Sequence, residues 1–279
     1  MEQATLVRKA AVAGTFYPAD AKRLEKEIKS YLSRVTVDRS KEDICALIAP
    51  HAGYMYSGEV AAHAYRQVQG KNYATVVVIA PSHRQYFDFS SVFFGGSYET
   101  PLGPVPVDKE LVEALDRGPE KSVRIGKEGH LQTAEHALEV HLPFLQVVLG
   151  SFSLVPVVMG SQSRRCTLEL GRALSGVSRD RKVLIVASSD LSHFHGQDKA
   201  QSLDQHVVAR INAFDPEGLL DDLERHDCEA CGGGPIAAAM FAGRELGAAK
   251  AENLCYATSA DTSGNFSQVV GYTAGIIYR

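Results

Sequence analysis

The chain has 279 residues, of which 45% are hydrophobic and 22% are charged, and its formal net charge is −4. This composition excludes disordered, collagen-like and low-complexity proteins. Lysines and arginines are scattered rather than grouped, which argues against a nucleic-acid partner, and no run approaches the roughly 18 apolar residues of a membrane span. We expect a cytoplasmic protein with no membrane partner, folded as a single α/β domain over residues 1–279.

The predicted elements alternate between strands and helices. Short apolar runs rich in Val, Ile and Ala are typical of buried parallel strands, and helical spacing with capping residues predicts the segments between them. In chain order these are helix 20–31, strand 45–50, helix 58–68, strand 75–81, helix 108–115, a polar loop 118–132, helix 133–149 with a bend at Pro143, strand 153–159, helix 167–175, strand 182–188, helices 198–213, 216–225 and 236–246, and strands 254–258 and 268–278. The order predicts a three-layer α/β sandwich with a mostly parallel central sheet.

The five cysteines are an odd number in a long chain, which predicts free thiols rather than a disulfide framework. Only Cys228 and Cys231 have C-x-x-C spacing, and without a second pair they cannot complete a four-thiolate zinc site. We expect Cys228 to be structural.

Three apolar strands are each followed by a short polar cluster that contains histidine. The clusters are APHAGY with His51, APSHR with His83, and SSDLSHFH with Asp190, His193 and His195. Ligands bind outside the carboxyl ends of the strands of an open α/β sheet, so these groups are expected to meet in one crevice. A single such histidine would be interpreted as a loop residue bonded to backbone, whereas three strand ends favour a shared site.

Neutral imidazole is a common ligand of transition metals, so His51 and His83 are predicted to bind one metal ion. Cys231 in the segment CGGGP is the predicted third ligand, because a helix N-terminus and a metal both favour a thiolate. Glu135 and His136 are the other candidates for the third ligand. The alternative is a cysteine that packs as a small apolar side chain.

Asp190 and His193 predict a proton-transfer pair in which the carboxylate orients the imidazole. The serines around them also permit a Ser-His-Asp interpretation, but the chain contains no G-x-S-x-G motif.

Five further residues are predicted to line the substrate or peptide side of the crevice. Tyr17, Tyr54 and Tyr56 could stack on an aromatic or peptide ligand, or they are packing residues. Glu135 and His136 open the predicted helix 133–149, where the carboxylate either reaches the crevice or is a favourable first-turn charge.

The motifs AGTFYPAD, PHAGYMYSG, APSHR, ETPLGPVPVD, EHALEVHLPF, SSDLSHF, CGGGPI and VVGYTAGIIY, in that order, resemble the Memo family over essentially the whole chain. Bacterial and archaeal members are called AmmeMemoRadiSam system protein B. The resemblance implies a fold similar to the LigB-type subunit of class III extradiol dioxygenases, which are non-haem iron enzymes. It also implies a metal site at His51, His83 and Cys231, with Asp190 and His193 beside it.

One departure concerns the metal. Those dioxygenases hold iron with two histidines and a carboxylate, whereas Cys231 stands in the place of the carboxylate and favours softer metals. The resemblance therefore implies one Fe(II) or Cu ion, with Zn as an alternative, but does not imply ring cleavage. It also suggests an AMMECR1-like protein and a radical SAM protein as partners.

Two functions remain open from the sequence. The first is a metal-dependent oxidoreductase that acts on an unknown substrate. The second is a non-enzymatic module that binds a peptide or protein partner in the same crevice. A zinc hydrolase with His193 as base is a third, less favoured interpretation.

Overall fold

The computed structural model describes residues 6–37, 41, 43–131, 135–179 and 181–279. The strands are β1 (Val7–Arg8), β2 (Ile44–Ala49), β3 (Thr75–Pro81), β4 (Ser90–Val92), β5 (Ser97–Thr100), β6 (Gly103–Pro106), β7 (Val123–Ile125), β8 (Ser153–Met159), β9 (Val183–Ser188), β10 (Asp190–His195), β11 (Lys250–Thr258) and β12 (Val269–Tyr278). The helices are α1 (Ala21–Ser33), α2 (Tyr54–Arg66), α3 (Lys109–Asp116), α4 (His141–Leu149), α5 (Arg164–Ser178), α6 (Gln197–Asn212), α7 (Pro216–Glu224), α8 (Gly233–Glu245) and α9 (Ala260–Ser263).

The main sheet has a parallel centre with antiparallel flanks. Strands β2, β9, β3 and β8 are adjacent and parallel, and every residue of β2, β3 and β9 is buried, as the continuous apolar runs predicted. Strand β12 joins β2 antiparallel at one side, and β4 joins β8 antiparallel at the other. The sheet is therefore parallel where the crevice was predicted and mixed outside it.

Helices cover both faces of this sheet, which gives the predicted three-layer α/β architecture. Helix α2 packs on β2 and β12 and contacts α1 and α4, whereas α8 packs on β2, β9 and β3 and contacts α5 and α7. Strands β1, β5 and β6 form a separate small sheet, and β6 contacts β8 of the main sheet. Among the residues that the structure describes, no helix is long and apolar enough to cross a membrane.

The predicted helix 133–149 is wrong in its first half. Helix α4 begins only at His141, because the Glu135 carboxylate accepts the backbone N–H groups of His136 and Ala137 and so favours a turn over a helix. Pro143 consequently lies in the first turn, where its missing N–H costs no hydrogen bond, and it does not bend the helix. Residues 133 and 134 of the prediction lie outside the described residues.

The other differences concern short or polar elements. The loop predicted at 118–132 contains β7, and β4, β5 and β6 are too short for periodicity to show them. Strand β10 lies inside the polar cluster after β9 and pairs with β12 through irregular register shifts. The described residues 118–131 thus contain one strand, and residue 132 falls outside the description.

Candidate metal centre

The site lies where three neighbouring parallel strands end. Strand β9 lies between β2 and β3, so the residues that follow all three strands meet at one edge of the sheet. His51 follows the end of β2 by two residues, His83 follows the end of β3 by two residues, and Ser188 is the last residue of β9. The predicted convergence of His51 and His83 is therefore present, since their ring centroids are 5.1 Å apart.

Three imidazoles form the potential metal-binding group. One ligand nitrogen each of His51, His83 and His136 lies within 4.8 Å of the other two. Metal–nitrogen bonds of about 2.0 Å would hold tetrahedral ligands about 3.3 Å apart, so modest side-chain movement would bring the three nitrogens onto one ion. His136 was predicted to line the crevice and was one candidate for the third ligand, and the structure places it among the potential ligands.

Hydrogen bonding fixes which nitrogen of His51 is available. The Ser188 hydroxyl donates to the carbonyl oxygen of Ala137 at 2.6 Å, so it must accept from His51 Nδ1–H, which lies 2.7 Å away. The lone pair of His51 is then on Nε2. Burial and the nearby histidines hold the pKa of His51 well below 6.5, which keeps the ring in the neutral form that binds metals.

Glu135 orients His83. Its carboxylate accepts the backbone N–H of His83 at 2.6 Å and lies 3.2 Å from His83 Nδ1, which leaves Nε2 for a ligand. Burial alone would raise the pKa of Glu135, but the hydrogen bonds from His83 and Ala137 outweigh it and lower the pKa to about 2. Glu135 is therefore ionised at neutral pH, and a carboxylate bonded to an imidazole is the usual support of a metal ligand.

Cys231 lies beside the lone pair of His51. Its Sγ is 3.2 Å from His51 Nε2, close to the roughly 3.5 Å that separates a sulfur and a nitrogen bound tetrahedrally to one zinc-sized ion. Burial and then the Asp190 carboxylate raise the pKa of this thiol well above its ordinary value, so without a metal the thiol is protonated. All five cysteines are free thiols, as predicted, and Cys228 is buried.

Gly232 allows Cys231 to approach the sheet. A Cβ atom at this glycine would stand 2.0 Å from the carbonyl oxygen of Ser188, a separation that atoms do not tolerate. We expect Gly232→Ala to lower the free energy of unfolding by about 1–3 kcal/mol in urea denaturation.

The matched control is Gly176→Ala in helix α5, where nothing lies within 4 Å of the added methyl group. This substitution is expected to stabilise the protein by about 0.5–1 kcal/mol, because alanine is the better helix former. Equal stability of the two variants would show that the backbone contact at Gly232 is not required.

Asp190 does not orient His193 as the sequence suggested. Its Oδ1 accepts the backbone N–H of His51 at 2.8 Å, and none of the hydrogen bonds found among the described residues joins it to His193. Burial raises the pKa of Asp190 to about 7, so this carboxyl group can hold or release a proton near neutral pH. His193 is half-buried and its pKa is lowered by burial, whereas His195 is paired with Glu229.

The three tyrosines divide into two groups. Tyr17 and Tyr54 are only 3% exposed, and their hydroxyls donate to the Glu139 carboxylate and to the carbonyl oxygen of Val140. Both side chains are largely packed in this structure, and Tyr17 also lines a surface pocket beside Phe16 and Met55. Tyr56 is 38% exposed and is the most accessible of the three tyrosines.

Comparison with known proteins agrees with the motif order. A family model described as "Memo-like protein" matches residues 8–276. The chain belongs to the Memo family. A MEMO1 family protein of Methanopyrus kandleri is 40% identical over 98% of this chain and 99% of the relative, and one of Methanothermobacter thermautotrophicus is 38% identical over 96% and 99%.

A solved structure supports the fold alone. An uncharacterized protein of Escherichia coli K12 matches with a TM-score of 0.56 and 16% sequence identity, and covers 84% of this chain and 99% of that one. At this identity the likeness extends to the arrangement of helices and strands but not to residues of the Memo site.

Sequence reasoning places His136 in the crevice but in the wrong element, and it misses two supports of the Memo site. The apolar periodicity around His136 predicts a helix, although the adjacent pair Glu135–His136 is an available signal. The sequence around Ser188 suggests only that this serine could be a nucleophile, and does not indicate its hydrogen bond to His51. The ion pair of Arg8 with Glu139, which lies behind the site, joins residues 131 positions apart and leaves no local pattern to detect.

Proposed function

We propose that this protein binds one transition-metal ion, Fe(II) or Cu, through His51, His83 and His136, with Cys231 as a fourth ligand, and uses it as an oxidoreductase. The observation that carries the proposal is the convergence of three imidazole ligand atoms within 4.8 Å. Imidazole suits iron, copper and zinc, and a thiol beside His51 favours the softer ions. The redox interpretation also draws on the similarity to LigB-type dioxygenases that the Memo resemblance implies.

The residues around the three histidines have distinct tasks in this proposal. Ser188 and Glu135 hold the rings of His51 and His83 with Nε2 exposed to the ion. Asp190, with a pKa of about 7, gives or takes a proton within the crevice. When bound, the metal would exchange electrons with the substrate or with dioxygen. His193, half-buried near His51 and His83, is the second proton-transfer group.

The test is anaerobic titration of the metal-free protein with Fe(II), Cu(I), Zn(II) and Co(II). We expect one ion per chain and, with Co(II), a thiolate-to-metal charge-transfer band that Cys231→Ser removes. Reversible oxidation and reduction of the bound iron or copper, followed by electron paramagnetic resonance, tests the redox part. Tight binding of zinc alone, or an ion that neither ascorbate nor ferricyanide changes, would overturn the oxidoreductase assignment.

The second candidate is a module that binds a peptide or protein partner. Two neighbouring apolar side chains favour it, because Met55 is 64% exposed and Tyr56 is 38% exposed at the start of α2, close to His51 in sequence. The AMMECR1-like protein and the radical SAM protein are the partners we propose to test. Retention of such a partner after His83→Ala, but not after a double change of Met55 and Tyr56 to serine, would favour this function.

A further inference from the structure

A partly buried segment before helix α1 contacts one of the potential ligand histidines, His136, and the chain next to the other two. We call residues 8–17 the N-terminal strap. The Phe16 ring centroid lies 4.6 Å from that of His136, and the Phe16 carbonyl oxygen accepts the backbone N–H of Tyr54 at 2.8 Å, three residues beyond His51. The third histidine, His83, is hydrogen-bonded to Glu135, and Arg8 of the strap donates to the backbone carbonyl oxygen of Glu135.

Arg8 makes the contact with Glu135. Its guanidinium group is 5% exposed and donates to the carbonyl oxygen of Glu135 at 2.5 Å and to that of His130 at 3.1 Å. It also donates to the Glu139 carboxylate. The Arg8 guanidinium group thus donates to three acceptors within residues 130–139, the stretch that contains Glu135 and His136.

Glu139 completes the connection from the other side. Its buried carboxylate accepts the backbone N–H groups of Ala11 at 2.7 Å and Val12 at 3.1 Å, and also accepts the Tyr17 hydroxyl. The strap and the histidine-bearing stretch are therefore held together by charged hydrogen bonds on both sides.

Stability alone does not explain this choice of residues. Removing two charges from water is unfavourable, and an apolar pair of similar volume often stabilises a core equally well. Charged hydrogen bonds are more directional than apolar contacts. A planar guanidinium group can donate to its acceptors in only one arrangement. The Arg8–Glu139 pair is suited to fixing a position.

We propose that Arg8 and Glu139 are positioning residues of the metal centre, which set the places of Glu135 and His136 and thereby the affinity and geometry of the bound ion. This inference rests on the proposed function. It differs from a structural role because it predicts a change at the metal centre that a loss of stability elsewhere does not produce.

The test compares Arg8→Lys with Arg210→Lys. Lysine keeps the positive charge beside Glu139, so the protein is expected to fold. Its single ammonium group cannot donate to all three acceptors, so residues 130–139 are expected to be held less firmly. Arg210 of α6 also donates hydrogen bonds to more than one partner, here the carboxylates of Asp222 in α7 and of Asp215, which precedes α7. We expect Arg8→Lys to weaken Co(II) and Zn(II) binding at least about tenfold and to shift the visible Co(II) spectrum, with both unchanged in Arg210→Lys.

The double variant Arg8→Met with Glu139→Gln removes both charges and leaves neither unpaired, so it tests positioning if the lysine variant is too mild. Wild-type affinity and an unaltered spectrum in both variants would overturn the inference.

Histidine ring signals in nuclear magnetic resonance separate this outcome from a failure of the proposed function. If the wild-type protein binds no metal, the proposed function fails, and the ring signals still decide the positioning role. Shifted signals of His83 and His136 in Arg8→Lys, with His63 unmoved, would support it. Unmoved signals of all three would refute it.

Discussion

His83→Ala is expected to weaken metal binding by roughly 10²–10³-fold. Structural zinc sites with four ligands gain about 10–16 kcal/mol, or about 2.5–4 kcal/mol for each ligand, and each 1.4 kcal/mol is tenfold in affinity. The side chain of His83 is 29% exposed, so its removal leaves no large cavity and the protein is expected to fold. Competition with a chromophoric chelator measures the affinity.

His63→Ala is the matched control, because His63 lies in helix α2 outside the group of three histidines. It is expected to leave the affinity within twofold of the wild type. A His83→Ala protein that binds the ion as tightly as His63→Ala would remove His83 from the ligand set.

Arg8→Met is expected to lower the free energy of unfolding by about 3–5 kcal/mol in urea denaturation, because it leaves the Glu139 carboxylate buried without its cation. The side chain of Glu139 is 0% exposed, so water cannot replace the lost partner. Adding Glu139→Gln should restore at least half of the loss, since no buried charge then remains.

Arg210→Met is the comparison for this effect. Asp222 loses one cation in that variant but keeps Arg225, so the expected loss is smaller. An Arg8→Met protein as stable as Arg210→Met would show that the Arg8–Glu139 pair contributes little to the fold, and it would weaken the argument that this pair is tightly held.

The parts of the site that the sequence predicts are those that depend on local pattern. Buried strands appear as continuous apolar runs, and because parallel strands end at the same edge of a sheet, the runs before His51 and His83 are enough to predict that these two residues meet. The same reasoning places Cys231 in the crevice, because CGGGP leads into a helix beside the sheet.

The parts that the sequence does not predict depend on tertiary contacts. His136 reaches the other histidines because the stretch before α4 is held in turns, which the 3.6-residue periodicity of EHALEVHLP conceals. Spacing alone pairs Asp190 with His193, whereas the fold brings the backbone N–H of His51 to the Asp190 carboxylate from 139 residues away.

The most direct test of the metal centre is elemental analysis of the protein expressed without a metal-binding tag and purified without oxygen. The arrangement of His51, His83 and His136 predicts close to one iron or copper ion per chain, lost in a variant with all three changed to alanine. Absence of a transition metal, together with no uptake of Fe(II), Cu(I) or Zn(II), would contradict the proposed metal centre.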